Sequence, residues 1–441
     1  MTEDSNALAD ELDARLANAD TALAAAYPGD RGRRQPVHTV YVPADRYDSG
    51  TVRGWAEEAK RAPAAHGRST TELAEAMDLR PSVAVEVYER LRRKLDSEAV
   101  EDLRIDFEDG YGIRPDDDED AVAVTAAQSL AASIAAGDAA PFHGIRVKSF
   151  EAPTRRRGVR TLQLFMRTLV DAGGLTDGFV VTLPKVTSVD QVEAFVFALG
   201  RVEEACSLEP GTLHFEIQVE TPQAILGADG TALVSRMIHA GGGRVTGLHY
   251  GTYDYSASLG VAAEYQSLEH PVADHAKAVM QVATAGTGVF VSDGSTNVLP
   301  VGDREAVRAA WRLHARLVRR SLERAIYQGW DMHPAQLPSR YVATYSFSGK
   351  GCPAQPSGSA RTYTEDTPAS LTSRRRPRRW PVSCSAASSA ARSTRPSLTR
   401  WSGSTRIRWP PSRVAVRKPD LRLHKAGAVQ GDCTGHFSPG S

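Results

Sequence analysis

Cysteine is scarce in this 441-residue chain, and the sequence contains neither a long apolar run nor a recognisable signal peptide. The four cysteines (Cys206, Cys352, Cys384 and Cys433) have neither the spacing of a metal site nor that of a disulfide framework. No apolar run reaches the roughly 18 residues of a membrane-spanning helix. The first residues, MTEDSNALADELDARLANADTALAAAY, lack the basic start and apolar core of a signal peptide. We therefore expect an amino-terminal helix on a cytoplasmic protein.

The formal net charge is zero, because 53 basic residues balance 53 acidic ones, but the two kinds of residue are unevenly distributed along the chain. Residues 351–441 hold 16 basic and 4 acidic residues, which leaves 37 basic and 49 acidic residues in 1–350. Three of the six tryptophans (Trp380, Trp401 and Trp409) also fall in this last segment. Pro, Ser and Arg dominate it without a helical or strand period, which predicts disorder. A natural basic arm is one interpretation; we favour a frameshift product, natural or from sequencing, beginning near residue 349.

Between positions 38 and 334, eight short segments have the β-branched and aromatic content of buried strands. They are HTVYVPA (38–44), LRIDFED (103–109), HGIRVKSFE (143–151), GFVVTLPKV (178–186), LHFEIQVET (213–221), RVTGLHYGT (244–252), GTGVFVSDG (286–294) and GWDMHP (329–334). Helical pattern follows most of them, which favours an α/β fold of the closed (β/α)₈, or TIM-barrel, type. The alternative is a Rossmann-like sheet, but no G-x-G-x-x-G follows the first strand.

Three domains are predicted on this basis: a helical extension over 1–36, the barrel over 37–348, and the basic tail over 349–441. Two helices of the barrel carry local signals. Ser188 with Gln191 forms a capping box ahead of one helix. Asp303 is placed to cap the helix after the seventh strand, and Gly329 to terminate it.

Most of the predicted strands end in ionisable residues. These are Arg46; Asp106, Glu108 and Asp109; Arg146 and Lys148; Lys185; Glu220; Tyr253 and Asp254; Asp293; and His333. Active sites of (β/α)₈ barrels lie where the strands end, and buried charges are costly unless they are paired or bind a metal. Glu220 and Asp254 close neighbouring strands and suit Mg²⁺, which prefers oxygen ligands. Alternatively, Glu220 caps a helix or pairs with Lys185, and Arg146 is a structural ion pair instead of a fork on a substrate carboxylate.

Seven of these segments resemble, in order, motifs of the citrate lyase β-subunit/HpcH–HpaI aldolase family. They are VYVPADR, IDFEDGYG, IRVKSFE, TLPKV, QVETPQAIL, GTYDYSASLG and GWDMHPAQLP, and the resemblance covers about residues 38–347. The family motifs are FVPGDRP, LDLEDAV, VRVN, LPKV, IET, FGxxDLxxDLG and IHPxQ.

The resemblance implies a TIM barrel of the pyruvate/phosphoenolpyruvate superfamily with Mg²⁺ held by Glu220 and Asp254. It implies that Arg146 binds a substrate carboxylate or keto-acid oxygen and that Glu108 and Asp109 lie in or near the surroundings of the metal. We expect Arg146, Glu108 and Asp109 to be catalytic, with Glu108, Asp109 or a metal-bound water left open as the proton-transfer group, and Arg46, Arg146 and Lys185 to bind the substrate. His333, in the HPxQ motif, is interpreted as ordering the mouth. Lys148 and Ser149 depart from the family's asparagine and proline, Thr252 and Tyr253 precede the metal aspartate, and the segment between the first two strands is long.

The function expected from this site is that of a Mg²⁺-dependent carbon–carbon lyase or aldolase acting through an enolate. The expected substrate is a small keto acid or an acyl-CoA. We expect the protein to bind neither nucleic acid nor a membrane, and a homo-oligomer is possible. The alternatives are a non-catalytic acyl-thioester or keto-acid binding barrel, an inactive truncated homologue, and a nucleic-acid-binding protein. The basic tail suggests the last of these, but the acidic character of residues 1–350 argues against it.

Overall fold

Eight parallel strands form a closed barrel in the computed structural model, which describes residues 2–30 and 32–348. Each strand pairs with the next along the chain, and β8 pairs with β1 to close the ring. The strands are β1 (Thr39–Pro43), β2 (Asp102–Asp106), β3 (Phe142–Arg146), β4 (Phe179–Leu183), β5 (His214–Val219), β6 (Val245–Tyr250), β7 (Phe290–Asp293) and β8 (Gln328–Asp331). The predicted (β/α)₈ fold and all eight predicted strands are thereby confirmed.

Thirteen helices are present in the described part of the chain. They are α1 (Thr2–Ala26), α2 (Thr51–His66), α3 (Thr70–Ala76), α4 (Pro81–Ser97), α5 (Asp116–Ala136), α6 (Arg155–Asp171), α7 (Val189–Ala205), α8 (Pro222–Ile225), α9 (Leu233–Ala240), α10 (Thr252–Ser258), α11 (Pro271–Thr284), α12 (Arg304–Glu323) and α13 (Leu337–Ser348). No helix among the described residues is long and apolar enough to cross a membrane.

Two of the three predicted helix signals are confirmed. The Ser188 side chain accepts a hydrogen bond from Gln191 N, and the Gln191 side chain accepts one from Ser188 N, so the capping box forms. Asp303 Oδ1 accepts from Ala306 N at 2.9 Å. The third expectation is wrong, because α12 ends at Glu323 and Gly329 lies inside β8. A Cβ atom on Gly329 would lie 2.8 Å from Arg340 Nη2, so glycine serves there to admit a guanidinium.

The long segment between the first two strands forms α2, α3 and α4, of which α2 and α4 pack beside α13. Tyr341 of α13 donates a hydrogen bond to Ala99 O at 2.9 Å, just before β2 begins. Leu337, Tyr341 and Val342 are buried, so α13 covers the last βα unit. By contrast, the predicted amino-terminal helix α1 exposes its leucines; Leu8 and Leu23 are 58% and 60% exposed. The predicted disordered tail lies outside the described residues.

Candidate active site at the carboxyl ends of the strands

Four carboxylates surround one lysine at the carboxyl end of the barrel. Glu108 and Asp109 follow β2, Lys185 follows β4, Glu220 follows β5, and Asp254 lies in α10 just after β6. The Lys185 ammonium Nζ lies 2.6 Å from Asp254 Oδ2, 2.9 Å from Asp109 Oδ2 and 3.1 Å from Glu108 Oε1. Sequence reasoning placed all five residues at strand ends, and the closed barrel brings them together.

Glu220 is buried and held by two hydrogen bonds. Its Oε1 accepts from the Lys185 backbone N–H at 2.7 Å, and its Oε2 accepts from Gln218 Nε2 at 2.9 Å. Lys185 has a φ of 53°, a left-handed conformation that non-glycine residues adopt at some cost in energy. A Cβ atom on Gly251 would lie 2.5 Å from Glu220 Cβ, so the neighbouring strand end requires glycine for the carboxylate to fit.

The charge of this cluster is unbalanced. Burial raises the pKa of Glu220 to about 8 and the pKa of Glu108 to about 7, and nearby carboxylates add to both increases. Burial works against the Lys185 ammonium, yet Glu220 and Glu108 outweigh it and raise the pKa of Lys185 above its usual range. With all four carboxylates ionised, one ammonium leaves excess negative charge. Protons on Glu220 and Glu108 offset part of it near neutral pH, and a further cation would compete with them for the same oxygens.

Arg146, the predicted substrate-binding arginine, already forms a bidentate ion pair with a carboxylate of the protein. Its Nε and Nη2 donate to Asp106 Oδ1 and Oδ2 at 2.7 and 2.6 Å, deep inside the barrel. Its third nitrogen, Nη1, lies 3.2 Å from Gln218 Oε1 and 3.4 Å from Glu108 Oε2. The guanidinium therefore reaches the acidic cluster through Nη1, and a bidentate contact with substrate would compete with Asp106.

Sequence reasoning missed three inward-facing side chains. Gln218 joins Arg146 to Glu220 by accepting from one and donating to the other. Tyr41 and Trp330 lie against the guanidinium, with ring centroids 4.7 and 5.6 Å from Arg146 Cζ. These residues occupy alternate positions of β5, β1 and β8, so the period-two pattern of a strand was the available signal.

Other predicted site residues lie apart from the cluster. Arg46 is exposed on a short 3₁₀ turn after β1, and among the described residues no contact joins it to the four carboxylates. His333 Nδ1 accepts from Ala335 N at 3.1 Å and caps the turn before α13, as expected of a residue that orders the mouth. Asp293 binds Lys277 and Ser321 of the outer helices instead of facing the cluster.

The donors at this site have the chemistry that Mg²⁺ prefers, since all are carboxylate oxygens with excess negative charge. Within residues 2–30 and 32–348, however, no three His, Cys, Asp or Glu side chains are arranged as a metal site. Glu220 and Asp254 each contact Lys185, through its backbone N–H and its ammonium respectively. The residues fit a divalent cation by charge and donor type, and the assignment of Glu220 and Asp254 as ligands stays a prediction.

A second constellation has the residue types of a hydrolase triad but no access to substrate. His314 Nδ1 lies 2.8 Å from Ser339 Oγ, and His314 Nε2 lies 3.1 Å from Asp331 Oδ1. All three side chains are buried between β8, α12 and α13, and Asp331 also binds Arg340. A nucleophile must reach its substrate, so this cluster is structural.

The sequence model of one family, described as domain of unknown function (DUF6986), matches residues 16–374. The chain belongs to the DUF6986 family. No curated protein sequence matches this DUF6986 chain.

Solved structures similar to the DUF6986 chain include enzymes of the kind that the sequence motifs resemble. A citrate lyase from Burkholderia xenovorans LB400 is 17% identical, with 70% of this chain and 77% of that chain covered and a TM-score of 0.48. A malate synthase from Haloferax volcanii is 14% identical, with 76% and 79% covered and a TM-score of 0.48. The citrate lyase beta subunit from M. tuberculosis, complexed with oxaloacetate and magnesium, is 16% identical, with 71% and 98% covered and a TM-score of 0.40. The barrel assignment itself rests on the strand pairing.

Proposed function

We propose that this protein is a Mg²⁺-dependent carbon–carbon lyase or aldolase acting on a small keto acid or acyl thioester through an enolate. The observation that carries the proposal is the group of four carboxylates around Lys185, beside Arg146, at the end of the barrel where such folds place their chemistry. Seven sequence motifs, which occur in the same order as in the citrate lyase β-subunit/HpcH–HpaI aldolase family, support the same function.

Glu220 and Asp254 are the residues proposed to hold the cation. A bound Mg²⁺ supplies a Lewis acid that stabilises enolate charge when a bond next to a carbonyl breaks or forms. Hydrogen bonds from Gln218 and from the Lys185 N–H already orient the Glu220 carboxylate, so it needs little reorganisation to bind a cation. Asp254 is about half exposed, which leaves its carboxylate free to turn toward a ligand.

Arg146 Nη1 is placed to bind a substrate oxygen, while Asp106 fixes the rest of the guanidinium. Glu108 lies between Arg146 and Lys185, at 3.4 and 3.1 Å, where a carboxyl group can take or return one proton. Asp109 holds the Lys185 ammonium, and Lys185 in turn offers positive charge to a substrate carboxylate. Arg46, exposed at the rim, is proposed to meet the substrate as it enters.

A panel of 2-keto acids and acyl thioesters, assayed with Mg²⁺ and again after EDTA, tests this function. We expect turnover of at least one substrate that EDTA abolishes and added Mg²⁺ restores. Saturable binding without turnover would favour the non-catalytic binding barrel. Absence of both binding and turnover across the panel would indicate an inactive homologue.

A further inference from the structure

A large cavity lies at the opposite end of the barrel from the carboxylate cluster. Its volume is about 1070 Å³, which is the size of cavities that take small organic ligands. The inner end is made by barrel residues of β2, β5 and β6, the sides by loops that precede β4 to β7, and the outer wall by the end of α1 and the segment after it. Neither the proposed reaction nor the resemblance assigns a role to this end.

The floor of the cavity is polar, and nearly all of its hydrogen-bonding groups are satisfied. Arg104 Nε and Nη2 donate to Glu216 at 3.1 and 2.8 Å, and Nη1 binds Asp102. His249 Nε2 lies 2.9 Å from Glu216 Oε2, and because a carboxylate oxygen only accepts, Nε2 carries a hydrogen. The floor thus holds two carboxylates, those of Asp102 and Glu216, around the guanidinium of Arg104.

His249 is the exception, because only one of its two ring nitrogens is used. The side chain is 7% exposed and lines the cavity, and within the described residues Nδ1 has no hydrogen-bond partner. In a neutral ring whose hydrogen is on Nε2, Nδ1 is an acceptor. A ligand that reaches the floor therefore gains a hydrogen bond by presenting a hydroxyl or N–H group.

The walls and the rim select for different chemistry. Val180, Ile238 and Phe290 give the walls an apolar surface. At the rim, Arg34 is held by Glu98 and Glu101, whereas Arg33 is exposed with no ion pair among the described residues. Asp177 is the one carboxylate at the described rim that no ion pair holds, so the anionic group of a ligand is placed by direct contact with Arg33 and not by the net charge of the rim.

We propose that this cavity binds a small amphipathic organic anion. Its apolar body lies along the walls, a hydroxyl or N–H group donates to His249 Nδ1, and its carboxylate, sulfonate or phosphate meets Arg33. The site is separate from the carboxylate cluster, so it stands whether or not the proposed lyase activity is found.

The probe 1-anilinonaphthalene-8-sulfonate tests this site directly, since it combines an aromatic body, an N–H group and a sulfonate. Its fluorescence is titrated on the full chain and on three variants whose melting temperatures are checked first. Ala26→Phe fills the cavity from the half-buried end of α1, and Arg33→Ala removes the rim cation. Ala24→Phe adds the same ring to an exposed residue of α1 that does not line the cavity.

We expect saturable binding at one site, weakened about tenfold by Ala26→Phe and severalfold by Arg33→Ala, and unchanged in Ala24→Phe. Binding that never saturates, or that survives Ala26→Phe at wild-type strength, would overturn the proposal. If Ala26→Phe melts early, Arg33→Ala alone decides, because an exposed arginine can be removed without loss of the fold.

Discussion

Arg146 has two of its three guanidinium nitrogens bound to Asp106, so its contribution to any reaction is linked to its contribution to folding. The pair is almost completely buried, and breaking such a pair leaves an uncompensated charge. Lysine cannot restore the contact, because an ammonium lacks the planar fork that meets both carboxylate oxygens.

We expect Arg146→Lys to lower kcat/KM nearly as much as Arg146→Ala, with both variants destabilised by about 3–5 kcal/mol. Urea unfolding measures the stability, and steady-state kinetics at saturating Mg²⁺ measures the activity. The matched control is Arg15→Lys, at an exposed ion pair of α1. Recovery of most activity by lysine would mean that Arg146 supplies only general positive charge.

Glu220→Gln and Asp254→Asn should abolish Mg²⁺-dependent turnover without unfolding the barrel. Burial disfavours the charged form of Glu220, which offsets part of the cost of the hydrogen bond lost when an amide NH2 replaces one of its two accepting oxygens. Calorimetric titration with Mg²⁺ and thermal melting measure the two effects. Glu264→Gln, at an exposed residue on the same side of the barrel, serves as the control. Undiminished Mg²⁺ binding in both variants would remove these residues from the metal site.

At the scale of elements, one buried polar cluster joins the start of β1 to the end of the described chain. Asp331 of β8 accepts from Arg340 of α13 and lies beside His314 of α12 and His38, just before β1. His38 Nε2 accepts from Glu101 N at 3.0 Å, and its side chain is fully buried. Burial lowers the pKa of His38 to about 4, although Asp331 opposes the shift.

This histidine predicts acid sensitivity. A folded-state pKa near 4 lies below the unfolded value near 6.5, so protons bind preferentially to the unfolded chain. The stabilisation is complete above about pH 6.5 and is lost as the pH falls toward 4, by about 3 kcal/mol. His38→Gln should flatten the fall of the free energy of unfolding over this range, and exposed His275→Gln should not. Equal slopes in His38→Gln and wild type would rule out His38 as the source.

At the scale of the whole molecule, residues 2–30 and 32–348 contain the eight strands of the closed barrel and the helix that covers the last βα unit. A chain that ends at Ser348 should therefore melt within about 2 °C of the full chain. The family match ends at 374, so a chain that ends at Arg374 is the matched comparison. A much lower melting temperature for the shorter chain alone would assign a structural role to the intervening residues.

The sequence predicted the barrel well because each strand is a short β-rich segment and each is followed by an ionisable strand end. The sequence also indicated which carboxylates meet at one end of the barrel, because the carboxyl ends of all parallel strands lie at that end. It could not predict which charges pair: Arg146 with Asp106, or Lys185 with Asp254, depends on side-chain direction inside the ring. Gly329 was misassigned because a glycine that ends a helix and one that makes room for a guanidinium are alike in sequence.

The ion pair between Arg104 and Glu216 connects two strands that are not neighbours in the ring. Arg104 is in β2 and Glu216 is in β5, and both are almost completely buried in the barrel interior. A fragment containing only β1 to β4 would keep the guanidinium and lose this carboxylate, and the complementary fragment would keep the carboxylate alone. Arg104 would keep only its contact with Asp102, and Glu216 only its contact with His249, so each half would lose the two-point ion pair that stabilises its desolvated charge. The two halves of this barrel are thus mutually dependent, and neither is suited to exist as an independently folding half-barrel.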